Sequence, residues 1–170
     1  MVMKSPLRPC RPSRRAAATA LALAMLAPLA PASAQTLMSW EPPFTAASPR
    51  QVEHVPARVA SKPWVLCVVV PHIKDAYWLG VNHGMVEEAR RLRVELRFFE
   101  AGGYSQLEVQ RTQIRDCAVN PRIDALIVGA VARSVMTPGL RQLSARMPVI
   151  GTINAIDGPG ISAKVGVDWD

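Results

Sequence analysis

The sequence predicts an α/β fold, in which a parallel sheet is flanked by helices, from about residue 64 onward. Short apolar runs alternate there with segments whose apolar residues recur every three or four positions. Strand, helix, strand, helix at this spacing indicates right-handed crossovers between parallel strands. The first run, Val65–Val70, is continuously apolar and ends at Pro71, which is typical of a central strand buried on both faces.

The other elements are predicted from the residues that begin and end them. Asp75 is a candidate N-cap for a first helix. The apolar stripe of that helix comprises Trp78, Val81, Met85, Ala89 and Leu92. Gly102-Gly103 permits a sharp turn after the second strand, and Asn120-Pro121 ends the second helix. We predict further strands over residues 94–101, 125–130, 149–154 and 163–167, and further helices over 106–118 and 138–145.

The first 34 residues are predicted to be a secretory signal peptide. They carry five basic residues and no acidic one, followed by an Ala/Leu run from Ala16. Ala32-Ser33-Ala34 has the small-x-small form of a cleavage site, which places the cut before Gln35. The apolar run is interrupted by Pro28 and Pro31 and is too short for a good membrane span. We therefore expect an exported chain that does not itself span a membrane.

The charge balance of the remaining chain argues against nucleic acid as a partner. The whole sequence has 20 Lys and Arg against 13 Asp and Glu, with a pI near 10.0. Removal of the signal segment leaves 15 against 13, a net charge of about +2. The basicity thus belongs to the targeting segment, and we predict no binding to nucleic acid.

Residues 35–61 are rich in proline and small polar residues and show no periodicity. We interpret them as an extended N-terminal arm, with Trp40 and Phe44 as anchors onto the body or onto a partner. A disordered leader is the alternative interpretation.

Two cysteines, Cys67 and Cys117, remain after the predicted cleavage. One lies in the first apolar strand and the other late in the second helix, so we favour two buried free thiols. A disulfide is the alternative, because an oxidising compartment permits one. His54, His72 and His83 do not have the spacing of a metal site, and we expect neither metal nor cofactor.

Four aromatic residues follow the ends of predicted strands, where an open α/β sheet places its ligand crevice. They are Tyr77, Trp78, Tyr104 and Trp169. Aromatic faces at that place suit a methylated ammonium group, which cation–π attraction holds. Asp75 and Asp168 can favour the ammonium side, although each also has a plainer role, as a helix cap and as a turn residue. Trp78 also falls on the apolar stripe of its helix, so a core position is its alternative.

Several stretches together resemble the amino-terminal lobe of the type I periplasmic binding proteins, the ribose-binding-like group. The resemblance covers about residues 64–170, and we assign residues 62–170 to such a lobe. The matching stretches are Pro71-His72-Ile73-Lys74-Asp75-Ala76-Tyr77-Trp78-Leu79, Val81-Asn82-His83-Gly84-Met85-Val86, Glu100-Ala101-Gly102-Gly103-Tyr104 and Val165-Gly166-Val167-Asp168-Trp169. Members of the group have a second lobe, and no closing helix follows the fifth predicted strand here. We therefore expect that the lobe is incomplete.

Departures from the sugar-binding pattern indicate a different ligand. Sugar binders of the group usually carry a charged Asp-Arg pair after the fourth strand, where this chain has Asn154-Ala155. They tend to carry Asp-Asn after the fifth, where it has Asp168-Trp169. The combination is more similar to the members that sense trimethylamine N-oxide and signal to the periplasmic domain of a membrane histidine kinase. That resemblance implies a sensor, with Tyr77, Trp78, Tyr104, Trp169, Asp75 and Asp168 as candidate ligand-binding residues.

Two other functions remain as alternatives. The first is a substrate-binding component of an ABC transporter for a sugar or a quaternary amine. The second is an exported enzyme, but the sequence contains no Gly-x-Ser-x-Gly elbow, phosphate loop or dinucleotide fingerprint. We therefore predict a binding protein and not an enzyme.

Overall fold

The structure is a computed structural model that describes residues 34–39 and 50–166. No helix in these two ranges is long and apolar enough to cross a membrane. The strands are β1 (Gln35–Ser39), β2 (Arg50–His54), β3 (Val65–Val70), β4 (Glu95–Glu100), β5 (Ala125–Val128), β6 (Val149–Thr152) and β7 (Ala163–Val165). The helices are α1 (Ala76–Leu92), α2 (Leu107–Val119) and α3 (Pro138–Ser144).

Five strands form one parallel sheet in the order β4-β3-β5-β6-β7. Because every pairing is parallel, the carboxyl ends of all five strands lie at the same edge. β3 is an interior strand, as its unbroken apolar sequence predicts, and pairs with β4 on one side and β5 on the other. The predicted α/β fold with a helix-flanked parallel sheet is confirmed.

The side chains of β3 alternate between two cores, one on each face of the sheet. Val68 and Val70 pack with Trp78 of α1 on one face. Cys67 and Val69 belong to the larger core on the other face, where α2 and α3 supply Ile114 and Leu140. The sheet therefore lies between α1 and the α2–α3 layer, which is the usual arrangement of a parallel sheet.

β5 and β6 each end two residues earlier than their apolar sequences predict. β5 stops at Val128 and not at residue 130, and β6 stops at Thr152 and not at residue 154. After β5, the buried amide of Gln110 binds the loop, since its Nε2 donates to the Gly129 carbonyl at 2.9 Å. After β6, Ile153 has φ 63°, a left-handed conformation that a strand cannot contain. The loops after β5 and β6 therefore begin at Gly129 and Ile153, at the carboxyl edge of the sheet.

The preference for two free thiols is wrong, because Cys67 and Cys117 form a disulfide. The bond joins the middle of β3 to the inner face of α2, with the two Cα atoms 6.2 Å apart. This separation is normal for a disulfide. Both residues were correctly expected to be buried, but the sequence did not show that the crossover from β4 places α2 over β3. A helix on that face brings the two sulfurs together.

The segment predicted to be an extended arm contains a small antiparallel sheet. β1 pairs with β2 in a register that sets Gln35 opposite His54 and Ser39 opposite Arg50. Most of its side chains are exposed, and Leu37 and Met38 are no exception. This pairing was not predicted, because neither strand has a clear apolar face. Trp40 and Phe44, the proposed anchors, lie outside the described residues.

An ion pair joins the residues that precede β3 to the residue that precedes β5. The Lys62 ammonium donates to Asp124 Oδ1 at 2.7 Å, and the Val65 N–H donates to Asp124 Oδ2 at 2.8 Å. The Lys62 hydrogen bond, followed by that of Val65, holds the pKa of the Asp124 carboxyl below its usual range. These contacts fix the amino edge of the sheet, opposite the crevice.

Candidate ligand site at the carboxyl edge of the sheet

The candidate site is built from the loops that follow β3, β4 and β6. The β3 loop ends at Asp75, and the first turn of α1 adds Tyr77 and Trp78; the later loops carry Tyr104 after β4 and Asn154 after β6. Parallel pairing alone brings them to one edge, although they are far apart in sequence. Ligands of open α/β sheets bind at this edge.

Asp75 is the N-cap of α1, as predicted. Its backbone is extended, and its Oδ1 accepts a hydrogen bond from the Trp78 N–H at 2.8 Å. Its other oxygen lies 3.7 Å from His72 Nε2. A side-chain cap of this kind satisfies one of the free N–H groups of the first turn. Capping therefore accounts for the carboxylate, and its contact with a ligand stays a prediction.

Trp78 lies in the core, and its ring face is not open at the crevice. Only 2% of the residue is exposed. A Cβ atom at Gly129 would lie 2.6 Å from the ring, so only glycine permits this close packing. Trp78 therefore points the edge of its ring, and not the predicted face, towards the site. Its indole Nε1–H donates to the Tyr104 hydroxyl at 3.0 Å. The cause is the apolar stripe of α1, which places Trp78 beside Val70.

Tyr77 and Tyr104 expose large parts of their side chains, at 42% and 52%. The Tyr77 ring meets the Trp78 ring edge to face, with centroids 6.1 Å apart. The Tyr104 ring meets the His72 ring in the same way at 5.3 Å. Because Trp78 touches both tyrosines, the three predicted aromatic residues form one continuous cluster. Two of them present surface to a ligand and the third supports them.

Asn154 reaches this cluster from the loop after β6, at the same carboxyl edge of the sheet. Its Nδ2 donates to the Ala130 carbonyl at 2.8 Å and to the Tyr104 hydroxyl at 3.4 Å. A tight turn aims it there, since the Asn154 N–H donates to the Thr152 carbonyl at 2.7 Å across Ile153. A β-branched residue at positive φ is strained, and such strain often occurs at functional sites.

Sequence reasoning did not place Asn154 or His72 in the site. Asn154 was noted only because it replaces a charged pair of the sugar binders, and His72 only because it has no metal spacing. The position of Asn154, directly after an apolar strand, was the signal available. Asp168 and Trp169, the other two candidate residues, lie outside the described residues, so their roles stay predictions.

The described residues contain no group of three or more His, Cys, Asp or Glu side chains that could hold a metal ion. The crevice edge carries aromatic rings, the neutral amide of Asn154 and the hydroxyl of Tyr104, which accepts two hydrogen bonds, beside the capping carboxylate of Asp75. Such an edge can hold a small apolar or cationic group and offer a hydrogen bond to it.

Residues 63–169 match the family of periplasmic binding proteins and sugar binding domains of the LacI family. The chain belongs to this family, and its sheet is the type I fold of one lobe. It is 44% identical over 110 residues to the periplasmic protein TorT of Escherichia coli K12. The aligned part makes up 65% of this chain and 31% of TorT, so the chain spans about a third of that relative.

Solved structures give the same fold. An ABC transporter solute binding protein from Bradyrhizobium sp. BTAi1, solved with bound bis-tris, matches with a TM-score of 0.70 at 41% identity. The match covers 82% of this chain and 42% of that one. The complex of the TorS sensor domain with TorT in the presence of TMAO, which is trimethylamine N-oxide, matches with a TM-score of 0.58 at 37% identity. That match covers 62% of this chain and 37% of the other.

Proposed function

We propose that this chain is the amino-terminal part of a periplasmic sensor that binds trimethylamine N-oxide and signals to a TorS-type histidine kinase. It acts by binding and not by catalysis. The sequence identity with TorT supports the assignment, as does the match to TorT in its complex with the TorS sensor domain. The single observation that carries the proposal is the continuous aromatic cluster of Tyr77, Trp78 and Tyr104 at the carboxyl edge.

The chemistry of the ligand fits such an edge. Trimethylamine N-oxide carries methyl groups on a positive nitrogen, one negative oxygen and no hydrogen-bond donor. Its receptor needs aromatic faces for the methyl groups and a donor for the oxygen. Tyr77 and Tyr104 supply exposed rings, and Trp169 is the predicted third. Each cation–π contact contributes roughly 0.5–2 kcal/mol, so a few of them give an affinity of about micromolar to millimolar.

A neutral amide in place of a charged pair supports the same choice over a sugar. Charged side chains are suited to hydrogen bonding with several sugar hydroxyls, whereas the N–H groups of Asn154 are already bonded to Ala130 and Tyr104. The Asn154 amide therefore has no free N–H group left for a sugar hydroxyl. A ligand with one acceptor and an apolar cationic body matches it better.

Transport is the second candidate function. The solute binding protein from Bradyrhizobium has the same lobe at a higher TM-score than the TorT complexes, and it belongs to an ABC transporter. In that case the ligand would be delivered to a membrane permease, and a quaternary amine would suit the aromatic edge. Both functions require export, for which we propose cleavage of the signal peptide before Gln35.

Calorimetry separates these functions. The protein would be produced with whatever coding sequence follows Asp170 in its gene and titrated with trimethylamine N-oxide, choline and ribose. We expect binding of the N-oxide and little heat from ribose. Preference for ribose would overturn the aromatic-site proposal, and preference for choline would favour the transporter. Gel filtration with a TorS-type sensor domain, with and without N-oxide, then tests the signalling partner.

A further inference from the structure

The Tyr104 hydroxyl stands between two hydrogen-bond donors. The Trp78 indole N–H donates to it at 3.0 Å, and the Asn154 side-chain amide donates to it at 3.4 Å. A tyrosine hydroxyl has one hydrogen to donate and accepts through its oxygen. With both donors in place, the oxygen is occupied as an acceptor.

Neither donor can reverse its direction. An indole N–H only donates. The amide of Asn154 is held with its nitrogen towards Tyr104, because the same nitrogen donates to the Ala130 carbonyl at 2.8 Å. Ala130 is itself held by a neighbour, since the Val131 N–H donates to the buried Gln110 Oε1 at 2.8 Å. The orientation of the amide is thus determined by the loop after β5.

The hydrogen of the Tyr104 hydroxyl is therefore left for another acceptor. Residues 34–39 and 50–166 offer none to it, and Tyr104 is half exposed at the crevice edge. Two incoming hydrogen bonds also polarise the hydroxyl and make it a stronger donor. The edge-to-face contact with His72 restricts the ring that carries it.

We infer that Tyr104 donates its hydroxyl hydrogen to the oxygen of the ligand and that Asn154, which acts through Tyr104, is a positioning residue for this bond. The inference rests on the proposed function and adds a basis for the ligand specificity of the site. The site selects a methylated amine that carries an oxygen acceptor over an equally bulky quaternary ammonium that carries none. Asn154 contributes without touching the ligand.

The test compares trimethylamine N-oxide with tetramethylammonium, which has the same bulk and charge on nitrogen but no oxygen. In Tyr104→Phe the ring remains and the hydroxyl is lost. We expect N-oxide affinity to fall about tenfold or more, as for a hydrogen bond to a charged group, and tetramethylammonium affinity to change less than about twofold. An equal change for both ligands, or no change for either, would overturn the inference.

Asn154→Asp tests the positioning role with a side chain of the same shape. A carboxylate accepts where the amide donates, so the Tyr104 hydrogen turns towards residue 154 and away from the ligand. We expect the affinity ratio of N-oxide to tetramethylammonium to fall about tenfold. Asn120→Asp makes the same change in charge at the opposite edge of the sheet and should leave the ratio unaltered. A ratio unaltered in Asn154→Asp as well would sink the positioning role.

A spectroscopic measurement separates positioning from general support of the fold. The indole N–H resonance of Trp78 reports its bond to Tyr104. It should shift in Tyr104→Phe while the remaining amide resonances keep their positions, whereas Asn120→Asp should not move it. If the unaltered protein binds no N-oxide, the proposed function itself fails. If it binds N-oxide but the ratio does not respond, only the hydroxyl inference fails.

Discussion

Gln110 is a single buried residue that holds the loop after β5, on which the site depends. It is fully buried on α2, its Nε2 donates to the Gly129 carbonyl, and its Oε1 accepts from the Val131 N–H. The side chain thus takes the place of a neighbouring strand for the loop that follows β5. The same loop holds the Gly129 that admits the Trp78 ring and the Ala130 carbonyl that orients Asn154.

Replacement of Gln110 by leucine is expected to destabilise the protein strongly. Leucine has a similar volume, so the main loss is the partners of one buried carbonyl and one N–H group. Each such group costs about 1–3 kcal/mol when it is left unsatisfied, so we expect a loss of about 3 kcal/mol in the free energy of unfolding. Unfolding in urea, followed by circular dichroism, measures it.

Gln113→Leu is the matched control on the same helix. Gln113 makes one hydrogen bond, to the Glu100 carbonyl, and its Oε1 is buried without a partner. Its removal should cost about 1 kcal/mol or less, since an unsatisfied oxygen leaves with it. Equal losses of unfolding free energy in the two variants would show that the two Gln110 hydrogen bonds to the β5 loop contribute no more than the single bond of Gln113.

At the scale of the elements, the disulfide joins the interior strand β3 to α2 and closes a loop over 50 residues. That loop contains α1, β4 and the Tyr104 turn. A crosslink of this span stabilises mainly because it restricts the unfolded chain, by at most about 4 kcal/mol. An oxidising compartment, where such bonds persist, agrees with the proposed export.

Reduction should therefore lower the stability of the lobe. We expect dithiothreitol to shift the urea midpoint of the protein down, towards that of the double variant Cys67→Ala/Cys117→Ala. The double variant itself should not respond to dithiothreitol, which makes it the control for general effects of the reductant. An unchanged midpoint after reduction, with both thiols shown to be alkylated by mass spectrometry, would contradict the prediction.

The elements of the sheet were predictable because each strand is a dense apolar run and each helix has a periodic stripe. Val65–Val70 is the clearest case, since six consecutive apolar residues admit only a strand buried on both faces or a buried helical segment, and Pro71 ends it. β1 and β2 were not predictable, because their pairing is long-range and buries almost nothing. The disulfide depended on which face of β3 the helix α2 covers.

The site was predictable in its location but not in its contacts. Strand ends placed Tyr77, Trp78 and Tyr104 at one edge, since parallel strands share their direction. The burial of Trp78 depended on Gly129, which lies 51 residues further along the chain and looks unremarkable in sequence. The role of Asn154 depended on a strained turn at Ile153, which a β-branched residue does not suggest.

At the scale of the whole molecule, the boundary between the predicted signal peptide and the folded chain falls at the first strand. β1 begins at Gln35, directly after the predicted cleavage site, and its first residue pairs with His54. Cleavage before Gln35 therefore leaves β1 whole. It also removes five basic residues and brings the net charge from +7 to about +2.

Processing can be measured directly by the intact mass of protein recovered from a periplasmic extract. We expect a mass that begins at Gln35. Ala34→Phe should abolish cleavage at this site, because the residue before the cut must be small, whereas Ser33→Phe changes the middle position of the small-x-small pattern and should be processed normally. Equal processing of both variants, or a mature chain that begins inside β1, would contradict this assignment. In the second case Gln35 would be missing opposite His54, and the β1–β2 pairing would have to begin at Thr36 and Glu53 or later.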